Sequence, residues 1–126
     1  TLILDINFNF KHFERMIHHE IFHMIQDSNK EIFDEIKWKS FNKEKFNYTE
    51  CSSCSDLKNL NLYDKTDGFI TEYSKTVPSE DMAEIFSFMM TDRNAIENKI
   101  KNDKILSNKV NYIKSSLYLI DNTFNF

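Results

Sequence analysis

The sequence predicts a mainly α protein, of the α+β class, with one or few strands at the N-terminus. Turn-forming residues are scarce, because the 126 residues include one glycine and one proline, and this favours long helices over a β-sandwich or a β-barrel. Apolar residues recur at steps of three and four in several segments, which is the period of an amphipathic helix. The length fits one hydrophobic core, so we expect a single domain over residues 1–126.

The N-terminal third predicts one strand and two helices. The apolar, β-branched run Thr1–Ile6 is typical of a strand. Lys11–Gln26 and Asn29–Lys39 are predicted to be helical. The first helix lies in a stretch apolar enough to be buried, and its apolar stripe comprises Phe13, Ile17, Ile21, Met24 and Ile25.

The rest of the chain predicts a long connection followed by three helices. Ser40–Tyr73 is polar and irregular in pattern, and Gly68 permits a tight turn within it. The next helix has Ser79 as its predicted N-cap. Two further helices are expected near Arg93–Lys101 and Leu106–Ile120. The apolar stripe of the Ser79 helix comprises Met82, Ile85, Phe86, Met89 and Met90.

The charge and hydropathy of the chain argue against two kinds of partner. The formal net charge is -4, and no dense basic patch is present. Because phosphate binding needs concentrated positive charge, we expect no nucleic-acid partner. No apolar run approaches the roughly 20 residues that cross a bilayer, so we expect no membrane span.

The two cysteines, Cys51 and Cys54, form a closely spaced pair in a polar stretch. Two cysteines are too few for a disulfide scaffold or for a four-cysteine zinc site. The pair is either a loop pair, free or bridged, or a functional site.

The stretch "MIHHEIFHMI" carries the main chemical signal of the sequence. His19-Glu20-Ile21-Phe22-His23 matches the helix-borne zinc motif of metalloproteases. Residues four apart lie on one side of an α-helix, so His19 and His23 can present their rings to one ion. Glu20 can then reach a water on that ion without binding the ion itself. The alternative is an amphipathic helix with histidines on its polar flank.

A catalytic zinc site needs a third protein ligand and an open fourth position. The best candidate is Glu80, near the start of a predicted helix, with Glu84 one turn further along the same face. Glu84 can accept the other ring N–H of a zinc histidine and fix its orientation. The alternative is that both carboxylates only favour the positive end of the helix.

Two stretches, "IHHEIFHMI" and "GFITEYSKTVPSEDMAEIFSFMM", resemble the gluzincin metallopeptidases. The likeness is to the catalytic domain of anthrax lethal factor and to related bacterial zinc-binding peptidases. In that group a tyrosine stands seven residues before the glutamate ligand, and an Ala-Glu pair follows on the same helix. Tyr73 stands seven residues before Glu80 here, and Ala83-Glu84 follows. Complete family domains have more chain before the zinc helix than Thr1–Phe10, so we expect an N-terminally truncated or pared-down domain.

The resemblance implies a zincin-like helical domain and a role for each matching residue. His19, His23 and Glu80 would hold Zn²⁺, and Glu20 would be the general base. Tyr73 would stabilise the oxyanion, and Glu84 would orient a zinc histidine.

The function that the resemblance implies is hydrolysis of peptide bonds in a peptide or protein substrate, by a secreted or cell-envelope bacterial protein. Two alternatives stay open from the residues alone. They are a catalytically inactive zinc-binding domain and a helical interaction domain without metal. The sequence does not indicate the oligomeric state.

Overall fold

The computed structural model describes residues 10–51 and 65–126, and it confirms the mainly α prediction. Within these two ranges there are five α-helices and no strand. The strand predicted for Thr1–Ile6 lies outside the described residues. The helices are α1 (Phe10–Ser28), α2 (Glu35–Lys39), α3 (Pro78–Thr91), α4 (Arg93–Ile100) and α5 (Lys104–Ile120), and a short 3-10 helix covers Tyr73–Lys75.

Helix α3 is the centre of the fold. It contacts α1, α2, α4, α5 and the Tyr73–Lys75 turn, and ten of its fourteen residues are buried. Its predicted stripe is buried apart from Met90, which is exposed. Burial of these apolar side chains is the main favourable contribution to the folding free energy. The core cluster includes Phe22, Phe33, Trp38, Ile70, Met82, Ile85, Phe86, Leu106, Val110, Ile113 and Leu117.

Helix α1 turns a different face to the core from the one that its apolar stripe suggests. Phe13, Ile17, Ile21 and Met24 are 50, 43, 39 and 71% exposed, respectively. The buried residues of α1 are Arg15, His19, Phe22 and Gln26. The expectation that the stripe would be buried was therefore wrong for these four residues, whereas Ile25 is partly buried against the core. The polar face is buried instead because carboxylates of α3 pair with its side chains, and such pairing offsets the cost of desolvation.

Helix α2 is shorter than predicted. Residues 29–33 form turns, and the helix begins only after Asp34. The Asp34 carboxylate accepts hydrogen bonds from the backbone N–H groups of Ile36 and Lys37, at 2.8 and 3.2 Å. Aspartate is a favoured N-cap, and this bonding ends the preceding turn structure and starts the helix. The predicted start at Asn29 was therefore wrong.

The start of α3 also differs from the prediction by two residues. The N-cap is Val77 rather than Ser79, and Pro78 is the first helical residue. Proline suits that position, because its fixed φ is helical and the N–H that it lacks would have no partner within the helix. The next two helices have side-chain N-caps from Asp92 and Asp103.

A fully buried ion pair fixes the start of α3 to α5. Lys109 Nζ donates to Asp81 Oδ2 at 2.7 Å and to the carbonyl oxygen of Gly68 at 2.8 Å. Trp38 Nε1 and the Tyr48 hydroxyl donate to the same Asp81 oxygen. These bonds also hold the segment that leads to the Tyr73–Lys75 turn.

Gly68 forms the tight turn that the sequence predicted. Its φ is +92°, and a Cβ at this position would overlap the side chain of Ile105. The Gly68 N–H donates to Asp103 Oδ2 at 2.7 Å. Glycine adopts this φ without steric cost, so the turn depends on it.

Two smaller expectations concern the cysteine pair and membrane-spanning helices. Cys51 is disulfide-bonded, whereas Cys54 lies outside the described residues. None of the helices in residues 10–51 and 65–126 combines the length and apolar character needed to cross a membrane.

Candidate metal centre

His19 and His23 lie one turn apart on the buried side of α1 and face each other. Their Nε2 atoms are 3.1 Å apart, and their ring centroids are 4.9 Å apart. His19 is almost fully buried, whereas a quarter of the His23 side chain is exposed. The spacing of four residues brings both imidazoles to one point, as expected for a helix.

Glu80 reaches the same point from the first turn of α3. Its Oε2 atom lies 2.8 Å from His19 Nε2 and 3.3 Å from His23 Nε2. One donor atom from each of the three residues lies within 4.8 Å of the others. Among the residues that the structure describes, no other group of three histidine, cysteine or acidic side chains does so. The close packing of α1 on α3 thus joins two residues that are 61 positions apart.

The arrangement of these donors is favourable only with a cation between them. His19 Nδ1 lies 2.9 Å from Glu84 Oε1, so a neutral His19 carries its proton on Nδ1 and a lone pair on Nε2. That lone pair then faces the Glu80 carboxylate at 2.8 Å. Two acceptors at this distance repel unless a metal ion or an added proton lies between them. Two imidazole nitrogens and one carboxylate oxygen are a donor set that suits Zn²⁺, so the residues present fit the metal.

In the metal-free protein, protonation supplies the positive charge. Burial opposes the charged form of His19, but the hydrogen bonds and charges of Glu80 and Glu84 outweigh it and raise the His19 pKa to about 9. Burial also opposes ionisation of Glu80, but the hydrogen bonds to His19 and His23 outweigh it and lower the Glu80 pKa to about 2. The cluster therefore favours an ionised carboxylate beside a bound cation.

Glu84 lies behind His19 and is 1% exposed. Its Oε1 faces His19 Nδ1, and its Oε2 accepts a hydrogen bond from the Thr71 hydroxyl at 2.6 Å. Arg15 Nη1 donates to the same Oε2 at 3.3 Å. Neither Arg15 nor Thr71 was predicted from the sequence. The signal for Arg15 was available, since it precedes His19 by four residues and so shares its helix face.

Glu20 follows His19 but differs from it in environment. Its side chain is exposed, on the flank of α1 next to the histidines. Its carboxylate does not belong to the group of three donors. The structure therefore separates it from the cluster while keeping it close enough for its charge to act on Tyr73.

Tyr73 opens the short 3-10 helix beside the cluster. Its ring centroid lies 6.1 Å from that of His19, and the residue is buried. Burial, followed by the charge and hydrogen bonding of Glu80, raises the Tyr73 pKa to about 12. The phenol is therefore protonated at neutral pH and can donate a hydrogen bond.

A cavity adjoins the cluster on the side of His23. Its volume is about 540 Å³, which is large enough for a substrate side chain. Besides His23, the residues that line it are Gln26, Asp27, Lys30, Glu31, Phe33, Asp34, Glu35 and Ser79.

Comparison with known proteins gives one family. A family model described as "Putative zinc-binding metallo-peptidase" matches residues 4–121, nearly the whole chain. No curated protein and no solved structure matches the chain. The family description agrees with the Zn²⁺ expected from the sequence, whereas the narrower likeness to anthrax lethal factor stays a prediction.

Proposed function

The chain belongs to the family described as "Putative zinc-binding metallo-peptidase", and from this membership we propose that it is a zinc-dependent peptidase of the gluzincin type. It would hydrolyse peptide bonds in a peptide or protein. The observation that carries the proposal is the convergence of His19 Nε2, His23 Nε2 and Glu80 Oε2 within 4.8 Å of one another.

His19, His23 and Glu80 would hold the zinc. Three protein ligands are the usual number in a catalytic zinc site, which keeps one position for water or substrate. When bound, zinc supplies a Lewis acid that lowers the pKa of water toward neutrality and polarises a carbonyl group. Glu84 would keep His19 in the tautomer that has its lone pair on Nε2, because Glu84 Oε1 lies 2.9 Å from His19 Nδ1.

Glu20 would be the general base. Its exposed carboxylate, one residue after His19, can take a proton from the attacking water and then deliver it to the leaving amine. Tyr73 would donate a hydrogen bond to the oxyanion that forms on the substrate carbonyl, since its phenol is protonated at neutral pH.

The experiment combines metal analysis with a peptidase assay on the purified protein. We expect near-stoichiometric zinc and hydrolysis of an unstructured protein such as casein. Glu80→Ala should lose both. Glu97→Ala is the matched control, because Glu97 is an exposed glutamate of α4 outside the cluster, and it should keep both.

Two outcomes would change the assignment. A parent protein that takes up no zinc would favour the helical interaction domain. A parent protein that binds zinc through Glu80 but cleaves no peptide library would favour the inactive zinc-binding domain.

A further inference from the structure

Arg15 is a buried charged residue that has no role in the proposed function. It lies on α1 one turn before His19 and is 4% exposed. Its Cζ atom lies 4.6 Å from the centroid of the Phe88 ring. Its Nε and Nη2 atoms are buried and have no hydrogen-bond partner among the residues that the structure describes. Burying a guanidinium group with two unpaired donors costs folding free energy. We therefore expect the hydrogen bond that the Arg15 side chain does make to have a function.

That contact is with Glu84, the carboxylate behind His19. Glu84 Oε2 accepts from Arg15 Nη1 at 3.3 Å and from the Thr71 hydroxyl at 2.6 Å, while Oε1 faces His19 Nδ1 at 2.9 Å. A histidine that binds zinc is neutral. In the zinc-bound protein, Arg15 is then the only positive charge within salt-bridge distance of Glu84 among the described residues.

We propose that Arg15 is a positioning residue of the metal centre, acting through Glu84. It holds Oε2 of the buried carboxylate, so that Oε1 stays directed at His19 Nδ1 and the His19 lone pair stays on Nε2. The proposal rests on the proposed function, because it needs His19 to be a zinc ligand. It assigns to a residue outside the group of three donors a measurable effect on zinc affinity.

Whether zinc binding becomes weaker or tighter without Arg15 distinguishes the positioning role from a simple effect of its charge. A cation near a zinc site repels the metal, so loss of the Arg15 charge alone would tighten zinc binding. If Arg15 acts by holding Glu84, its removal weakens zinc binding instead. A purely structural role, in which Arg15 only joins α1 to α3, would lower the stability of the metal-free protein and leave the zinc affinity of the folded fraction unchanged.

The test measures zinc affinity at 25 °C by competition with a chromophoric chelator, with the visible spectrum of the Co²⁺-substituted protein as a second readout. Arg15→Met should weaken zinc binding by up to about 10- to 100-fold, which is the usual effect of losing a hydrogen-bond partner of a metal ligand, because it would release Glu84, the partner of His19. Arg15→Lys keeps the charge but loses the planar group over Phe88. It should fall between the parent and Arg15→Met, and it carries the test if Arg15→Met does not fold.

A double-mutant cycle tests whether the effect passes through Glu84. Glu84→Gln should also weaken zinc binding, and adding Arg15→Met to it should cause little further loss, because the two residues act as a unit. The control is Ile113→Ala, a core change in α5 outside the cluster. It should lower stability while leaving zinc affinity and the Co²⁺ spectrum unchanged.

Three results would overturn the role of Arg15. They are an unchanged or tighter zinc affinity in folded Arg15 variants, full additivity with Glu84→Gln, and an equal loss of affinity in Ile113→Ala. If the parent protein itself binds no zinc, the proposed function fails together with this inference. If the parent binds zinc and the Arg15 variants bind it equally well, only the inference fails.

Discussion

Glu20 and His19 are neighbours in sequence but occupy opposite environments. His19 is 2% exposed and has carboxylates on both ring nitrogens, whereas the Glu20 side chain is exposed. A helix rotates by about 100° per residue, so one step along α1 moves a side chain from the cluster to its solvent flank. The exposed position suits the proposed general base, which needs access to water, and the buried position suits the proposed metal ligand.

Replacing Glu20 should therefore separate catalysis from metal binding. We expect Glu20→Gln to keep the fold and the zinc. The rate of peptide hydrolysis should fall by about 10²- to 10⁴-fold, the usual contribution of a general base. Glu14→Gln is the matched control, because Glu14 is another exposed glutamate of α1. Zinc content and kcat/KM are the measurements. An active Glu20→Gln protein would remove Glu20 from the mechanism.

Tyr73 should act on the rate and not on the metal. Tyr73→Phe removes only the hydroxyl, so the buried ring keeps its packing near His19. We expect kcat to fall by about 10²- to 10³-fold with KM nearly unchanged, as for the loss of one oxyanion donor. Tyr118→Phe, on the exposed face of α5, is the control. A parallel loss of zinc in Tyr73→Phe would instead indicate a structural role.

At the scale of elements, the sequence predicted where helices form better than which face they bury. Helices α3 and α5 were predicted because apolar residues repeat along them, and most of those residues are buried, although Met90 of α3 is exposed. Helix α1 was also predicted, but its buried face is set by α3. The carboxylates of Glu80 and Glu84 make the histidine face of α1 the one that packs, and the apolar pattern of α1 does not contain that information.

The same reasoning explains which site residues could be predicted. The zinc motif is local, because His19 and His23 are four positions apart. Glu80 and Glu84 were predicted from their places one turn apart near the start of a helix, and the resemblance agreed with them. Arg15 shares the helix face of His19, so its place near the site could be predicted, but its contact with Glu84, 69 positions away, could not. Such contacts depend on tertiary packing, so they appear only once the helices are in place.

The junction of α3 with α5 depends on the buried pair of Lys109 and Asp81. Lys109→Met would leave the Asp81 carboxylate buried without its cation, and among the described residues only Trp38 and Tyr48 would still donate hydrogen bonds to it. Breaking a buried pair from one side costs about 3–5 kcal/mol, so we expect a loss of that size in the free energy of unfolding.

Urea denaturation of the metal-free protein measures this loss without any contribution from zinc. Lys104→Met is the control, since Lys104 is an exposed lysine of the same helix. It should change the free energy of unfolding by less than about 0.5 kcal/mol. A Lys109→Met protein that unfolds at the same urea concentration as Lys104→Met would show that the pair does not stabilise the fold.

For the whole molecule, the metal centre links stability to pH with opposite signs in the metal-free and zinc-loaded forms. In the metal-free protein the folded pKa of His19 is raised from 6.5 to about 9. Folding therefore favours the protonated ring. The resulting stability is fully present below pH 6.5 and is lost as the pH rises through about 9. Glu80 limits the acid side, because its folded pKa is lowered from 4.5 to about 2, and its contribution is lost as the pH falls through that range.

With His19 and His23 as the proposed zinc ligands, zinc should reverse the dependence near neutrality, because protons compete with the metal for these two rings. The stabilisation that zinc adds should increase as the pH rises from 5 to about 8, since binding releases protons from the ligands. We expect the Tm of the metal-free protein, kept in EDTA, to fall between pH 6.5 and 9. The Tm difference between the zinc-loaded and metal-free forms should widen as the pH rises.

The control is the metal-free His19→Asn variant. Its Tm should fall less above pH 6.5 than the Tm of the parent does. If the parent and this variant lose Tm equally over that range, the proton on His19 does not replace the metal ion, and the cluster does not hold a cation in the way proposed here.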